Sequence, residues 1–556
     1  MQKTCSNCSS PFEISAEDRK IYEKVSPTIG KEKQLVNPPT FCPQCRLIRR
    51  ISYRNDQHYY HNTCQLCKKA LISIYSPDKG IPVLCDACFW SDDWNPLSYG
   101  QEFNFSRPFF DQFFEMKAKV PRLAIFHTQS ENSEFSVHSS RNRNCYMVSS
   151  LINNENLCYS DQTFDSRDSL DLLSCMQAEL CYESVYSTEC FGCSYVDHCS
   201  SLGDCYLCYD CRGSQNLIGC VGQRNKNNMI LNEPASAEKC NDMKRTLCTD
   251  PAAREKFVKK YAALQAKHPK RAVWLIQTED CTGNELFQCK NVQSGFDLKD
   301  IEDGKYLVTC VHSKDLYDST KVIGEMVYES KAAVDLTYSC FTNLCYQADN
   351  VHYCDNCQGS SNCFGCMSLK KHKNCIFNKQ YSQEEYEELV KKIIEHMRSA
   401  EEWGEFFPTE KSPFCYNETR GQEWFPMEKD EVLAKGWNWS EYEPPPPDVS
   451  KTIPVDRLPN DINDIPDDIL NWAITCEKTG KPFRIIKQEL DFYRKQGLPI
   501  PHRSPMQRRQ DRTDSYNCRT LFERTCDKCG KDIQTPYAPV EPKTVYCEEC
   551  YMSEVY

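Results

Sequence analysis

The sequence predicts a multidomain, mostly β protein: zinc-ribbon modules at both ends flank a duplicated, cysteine-rich β-solenoid centre, β-helix-like, with capping helices. Three observations predict it. Cysteine supplies 38 of 556 residues. CxxC pairs gather near both ends with a fixed spacer. The middle repeats itself, both as two halves and in a six-residue rhythm.

A chain of this length exceeds one hydrophobic core, and five segments are expected: 1–95, 120–270, 271–400, 401–465 and 466–556. The opening residues, MQKTCSNCSSPFEIS, lack a basic start followed by an apolar run, and no stretch reaches 18 apolar residues. The expectation is a cytoplasmic chain without a membrane span. Thiols stay reduced there, and paired cysteines more often hold metal than form disulfides.

The N-terminal segment carries Cys5/Cys8, Cys42/Cys45, Cys64/Cys67 and Cys85/Cys88; the C-terminal segment carries Cys526/Cys529 and Cys547/Cys550. A CxxC turn aims two thiolates at one ion, and two turns complete a tetrahedral shell. The spacer between turns is 17 residues in both Cys64–Cys88 and Cys526–Cys550. The two modules also align. At an offset of 462, Pro43, Arg46, Arg50, Asn55, Tyr75, Pro77 and Val83 match Pro505, Arg508, Arg512, Asn517, Tyr537, Pro539 and Val545. Further upstream, at 471, Cys5 matches Cys476 and Tyr22 matches Tyr493.

The copy decides how the cysteines pair. Cys8, Cys42 and Cys45 correspond to Thr479, Ser504 and Gln507, while the other four ligands survive. A cross-braced arrangement would have lost both sites. The ligand sets are therefore Cys5, Cys8, Cys42, Cys45; Cys64, Cys67, Cys85, Cys88; and Cys526, Cys529, Cys547, Cys550, three structural zinc ions in all. Redox dithiols are the weaker alternative, because they need no second pair at fixed spacing. His58 and His61 read as surface residues rather than ligands.

In the middle, Cys199, Cys208, Cys211 and Cys220 match Cys345, Cys354, Cys357 and Cys366 at an offset of 146, while Asn144, Leu151, Glu155 and Tyr159 match Asn291, Leu298, Glu302 and Tyr306 at 147. Steps of six from Cys145 land on small or apolar residues as far as Leu217. A helix does not use that period; short wound strands do. Cysteine suits such an interior, being small and stable when buried. Metal at Cys190/Cys193, Cys208/Cys211, Cys354/Cys357 or Cys363/Cys366 is the less favoured reading. Ser382 and Glu385 form a capping box before one helix, Pro251 starts another, and both are expected to cover open ends of the coil.

Net charge is −12, but unevenly spread: residues 401–470 hold 17 acidic and 6 basic residues, residues 42–70 hold 6 basic and 1 acidic. The acidic segment, with Trp403, Trp424, Trp437, Trp439 and a Pro444–Pro447 run, reads as a strap packed on the folded body.

The stretches FCPQCRLIRRISYRN, SDDWNPLSYGQEFNFSRPFFDQF, GEFFPTEKSPFCYNET, DDILNWAITCEKTGKPFRIIKQELDFYRK and VYCEECY together resemble an uncharacterised family of cysteine-rich zinc-ribbon proteins, met mainly in genomes of very small uncultured bacteria of the candidate phyla radiation type. The resemblance spans nearly the whole chain. It implies zinc at the matching cysteines and brings no reaction with it.

Two function classes follow. One is a non-catalytic scaffold or adaptor whose ribbons bind nucleic acid or a nucleoprotein complex. Arg46, Arg49, Arg50 and Arg54 beside Tyr53, Tyr59 and Tyr60, with Arg508, Arg509 and Arg512 in the copy, are its phosphate and stacking candidates; a protein partner is the alternative. The other is a solenoid enzyme on a polymer, using Asp161, Asp165, Asp168 and Asp171. The second half does not reproduce that run in full, no nucleotide-loop, nucleophile-elbow or zincin motif occurs, and the scaffold is preferred.

Overall fold

The computed structural model describes residues 1–516 and 519–555. They form two units, each built from segments distant in sequence. One holds Met1–Phe126 with Trp274–Glu441, the other His127–Val273 with Tyr442–Tyr556. The N-terminal module thus shares a unit with the second half of the repeat, and the C-terminal module with the first. The acidic strap is divided between them at Glu441. Secondary structure is 26% helix and 31% strand, so the fold is mixed and sheet-rich rather than mostly β.

Each half of the repeat is a parallel ladder in which the chain pairs with itself twelve residues on. Glu155 pairs with Arg167, Leu157 with Ser169, and Arg167 in turn with Glu179. In the second half, Asp349 pairs with Ser361, which pairs with Lys373. The side-chain rhythm is three, and the six-residue step predicted from sequence is every second member of it. From Cys145 to Cys220 every third residue is buried, including those the hexad skips, such as Val148, Ala178, Cys190, Val196, Leu202 and Cys208. The mid-chain CxxC steps are this rhythm.

Every third residue also turns a corner. Asn153, Asn156, Tyr159, Gln162, Asp165, Asp168 and Asp171 all have φ between 46° and 61°. That left-handed region is costly for most side chains and cheapest for Asn and Asp. Repetition offsets the cost, because aligned corners bond one another. Asn132 donates to Asn144, Asn144 to Asn156, and Asn156 to Asp168, at 3.2, 3.1 and 2.7 Å. Asn350, Asn362 and Asn374 form the same column in the second half.

The interior suits cysteine and serine for a further reason. A donor there reaches the carbonyl two residues back and that of the next rung. Cys175 Sγ lies 3.5 Å from Leu173 O and 3.2 Å from Ser184 O; Cys181 Sγ lies 3.3 Å from both Glu179 O and Cys190 O. The leucines and valines that share this interior make no such bonds.

The second ladder opens with an eleven-residue rung, Leu275 pairing with Leu286 and Glu279 with Lys290, and a second one interrupts its middle. Lys314 pairs with Glu325 and Thr320 with Lys331, and twelve-residue pairing resumes after a register shift at Ile323/Gly324. A Cβ at Gly324 would collide with Leu336 O. The residue missing from this middle rung is why the two halves match at 147 upstream and 146 downstream.

Both ladders close in a short antiparallel pairing, Asn227–Ile230 with Glu233–Pro234 and Lys373–Ile376 with Lys379–Gln380. The helices that follow lie on the flanks. Gln383–Ser399 carries the predicted capping box and buries Tyr386, Val390, Ile393, Ile394 and Met397 with Phe364 and Phe377. Pro251–Lys267 starts at its proline, and Ala237–Thr249 precedes it as a helix the sequence reading missed. Trp403, Trp424 and Trp437 are buried, as expected of a packed strap. No described helix is long and apolar enough to cross a membrane.

Candidate metal centres and their arginine braces

All twelve predicted ligands converge in the three predicted sets. Within each set the four Sγ atoms lie within 4.8 Å of one another, and groups of three or more such donors occur nowhere else among the described residues. Cys8 and Cys42, Cys67 and Cys85, and Cys529 and Cys547 have Sγ atoms 3.8, 3.9 and 3.7 Å apart. A tetrahedron with Zn–S bonds of about 2.3 Å has edges of about 3.8 Å, so the three tetrads fit zinc. His58 and His61 stand outside them.

The backbone around each tetrad follows one plan. The first CxxC sits in a tight turn after a strand. The second opens a helix: Cys42 caps Pro43–Ile51, Cys85 caps Asp86–Trp90, and Cys547 immediately precedes Glu548–Val555. The ribbon expectation of two turns is therefore corrected to one turn and one helix start. Helix N-termini favour thiolate. Backbone N–H groups add to this, with Cys42 N–H donating to Cys5 Sγ at 3.2 Å, Cys85 to Cys64 at 3.4 Å and Cys547 to Cys526 at 3.2 Å. Burial pushes the Cys64 and Cys526 thiols up, yet backbone donors outweigh it and bring both to about 6.

The fourth position in the module plan has no tetrad. Cys476, Thr479, Ser504 and Gln507 keep the same backbone, with Ser504 N–H donating to Cys476 Sγ at 3.4 Å. The Ser504 hydroxyl accepts from Gln507 N–H at 3.3 Å and caps the helix Pro505–Ser515.

The seven arginines expected to meet phosphate are all buried. They face carboxylates inside their own units. Arg46 Nη2 lies 2.9 Å from Asp318, Arg50 Nη1 3.3 Å from the same residue, and Arg49 3.1 Å from Glu329 and 2.7 Å from Glu405. Arg54 binds Asp56 at 2.8 Å. In the other unit, Arg508 and Arg512 lie 2.8 and 2.9 Å from Asp171, Arg512 2.8 Å from Glu183, and Arg509 3.2 Å from Asp161. The structure thus places these seven arginines as internal braces, each guanidinium engaged by carboxylates of its own unit. Of the supporting tyrosines, Tyr53 and Tyr60 are buried too.

The acidic run divides likewise. Asp161 and Asp171 meet the module's arginines, while Asp165 and Asp168 accept from Asn153 and Asn156 at the corners. Asp161 and Asp171 were singled out from sequence for another role, and Asp318, Glu183 and Glu329 were not singled out. The signal was there: the repeat offsets place Asp171 on Asp318 and Glu183 on Glu329, as the module offset places Arg508 on Arg46 and Arg512 on Arg50.

A family model described as a probable treble clef zinc finger matches residues 519–555, the segment in which a hairpin turn and a helix start supply the C-terminal tetrad. No curated protein matches the chain. Among solved structures, a putative acetyltransferase from Desulfovibrio desulfuricans G20 aligns at 10% identity over 41% of this chain, with a TM-score of 0.10. The alignment spans 66% of that protein. A likeness at that score carries no argument about fold or activity.

Proposed function

We propose that the chain is a zinc-stapled, non-catalytic scaffold whose two ladders are four-cornered β-solenoids with twelve residues to the coil. One observation carries the reading. In each unit a module helix fastens to a ladder through equivalent ion pairs, Arg46 and Arg50 with Asp318 in one, Arg508 and Arg512 with Asp171 in the other. The helix that presents Arg46, Arg49 and Arg50 also carries the zinc ligand Cys45 and is capped by Cys42. Metal binding thus sets the pose of the arginines, and the arginines set the pose of the module. Four-cysteine tetrads leave no open coordination position for chemistry.

The burial of the arginines draws the scaffold reading toward protein partners and away from nucleic acid. The test has two readouts. Zinc content should be three ions per chain, and chelation should raise the susceptibility of residues 1–95 and 519–555 to proteolysis. Binding to mixed single-stranded RNA that weakens with salt and survives at 150 mM salt would return nucleic acid to first place. Metal-free protein as protease-resistant as the loaded form would sink the stapling idea.

A further inference from the structure

The unit built on the first ladder contains an open pocket of about 580 Å³. Its walls include Glu183, Tyr195, Pro499, His502, Asp511 and Ser515. The repeat offsets place these on Glu329, Phe341, Asn37, Thr40, Arg49 and Tyr53 of the other unit. The backbone supports the alignment: Ser6 N–H donates to Thr40 O at 3.2 Å, and Glu477 N–H to His502 O at 3.0 Å.

In the other unit that place is filled, and the filler is the strap. Glu405 accepts from Thr40 N–H at 3.1 Å and pairs with Arg49 at 2.7 Å. Trp403 packs edge-on against Phe341, Tyr53 OH donates to Pro408 O at 2.6 Å, and Phe406 meets the Tyr53 ring. Gly404 lies directly against Asn37. So one copy of the groove holds an extended segment of its own chain, residues 403–408, and the other copy is open.

We propose that the pocket is a docking site for an extended peptide of a partner protein, with aromatic side chains around a basic residue. The aromatic preference follows from Tyr195 standing where Phe341 receives Trp403, and from the small Ser515 standing where Tyr53 fills space. The charge preference follows from a reversal. Asp511 replaces Arg49, so the site that takes Glu405 in one unit presents a carboxylate in the other. Asp511 is shared with Arg503 at 2.6 Å and Lys478 at 3.1 Å, both on the surface, and an incoming cation would compete for it.

This inference deepens the scaffold reading and rests on it. Each sample is therefore first assayed for three zinc ions, so that a failed scaffold and an empty pocket are told apart. The full-length protein is titrated with two fluorescent peptides, EEWGEFFPTE (the sequence of residues 401–410) and its Glu405→Lys form. The lysine peptide should bind at least tenfold more tightly. Replacing its three aromatic residues by alanine should abolish binding. Asp511→Arg should invert the preference between the two peptides. On the unaltered protein, equal affinity for both peptides, or binding by neither at millimolar concentration, would overturn the proposal. Saturable binding of free tyrosine with no peptide bound would overturn it in favour of a small-molecule site.

Discussion

The first cysteine tetrad and its copy make a natural comparison. Cys5, Cys8, Cys42 and Cys45 converge on a zinc position. Cys476, Thr479, Ser504 and Gln507 occupy the same turn and the same helix start with one thiol left. The backbone is nevertheless alike. Cys42 N–H donates to Cys5 Sγ, and Ser504 N–H donates to Cys476 Sγ. The arginines beyond the helix start still meet their carboxylates in both. A hydroxyl cap and a thiol acceptor therefore suffice to hold the turn, provided the helix is anchored at its far side. Zinc and the arginine braces are partly alternative ways of fixing the same helix.

Removing metal tests this most strongly. A structural four-cysteine zinc contributes about 10–16 kcal/mol to a small module. Chelation should collapse amide protection around Cys64–Cys88 and Cys526–Cys550, and weaken it in Pro43–Ile51. Protection in Pro505–Ser515 should persist, measured by hydrogen exchange. Equal loss in both helices would break the comparison.

The braces come next. Arg46→Ala and Arg508→Ala each strand buried carboxylates, and should each cost about 3–5 kcal/mol. The penalty for Arg508→Ala should be the greater, because its helix has no zinc to fall back on. Denaturant unfolding of the two single variants decides this. A smaller cost at Arg508 than at Arg46 contradicts the division of labour.

Reversing the loss of ligands sharpens the contrast. Thr479→Cys, Ser504→Cys and Gln507→Cys together should raise zinc from three ions to four per chain, because the backbone is already in place. Elemental analysis of purified protein reads this directly.

Acid gives the smallest effect. Burial pushes the Glu405 carboxyl up, but Arg49 and the donors of Thr40 outweigh it and hold it below the ordinary range. Lys79 and Tyr60 act the same way on Glu418, again against burial. A lowered folded pKa means full stabilisation above the unfolded value of about 4, lost as pH falls through the folded value. Glu183 and Glu329 act in the opposite sense, since burial lifts both. The melting temperature should therefore change little from pH 7 to 5 and fall modestly below pH 4. Glu405→Gln should flatten that fall.

Much of this was legible in the sequence, and the limits have physical causes. The tetrads were readable because a tetrahedral ion imposes local spacing, and the degenerate copy fixed the pairing. The ladder was read at half its frequency. Serine and asparagine at Ser160, Ser166 and Asn154 serve as interior residues there, and a hydrophobicity scan passes over them. The burial of the arginines was not legible because a charged run looks solvent-facing until its partners are known, and Asp318 lies 272 residues beyond Arg46. The helix starts at Cys42 and Cys85 were missed because a CxxC pair reads equally well in a turn or at a helix cap.

The crossed assembly of the units has a consequence in time. The N-terminal module leaves the ribosome with Arg46, Arg49 and Arg50 in search of acids that do not yet exist. Glu329 is translated 283 residues after Arg46, which at ordinary synthesis rates is about 15–60 s later. Metal can close both N-terminal tetrads within that interval. The nascent chain would then carry a preformed zinc body with a bare cationic face, waiting for its ladder, and zinc supply during translation would govern how safely it waits.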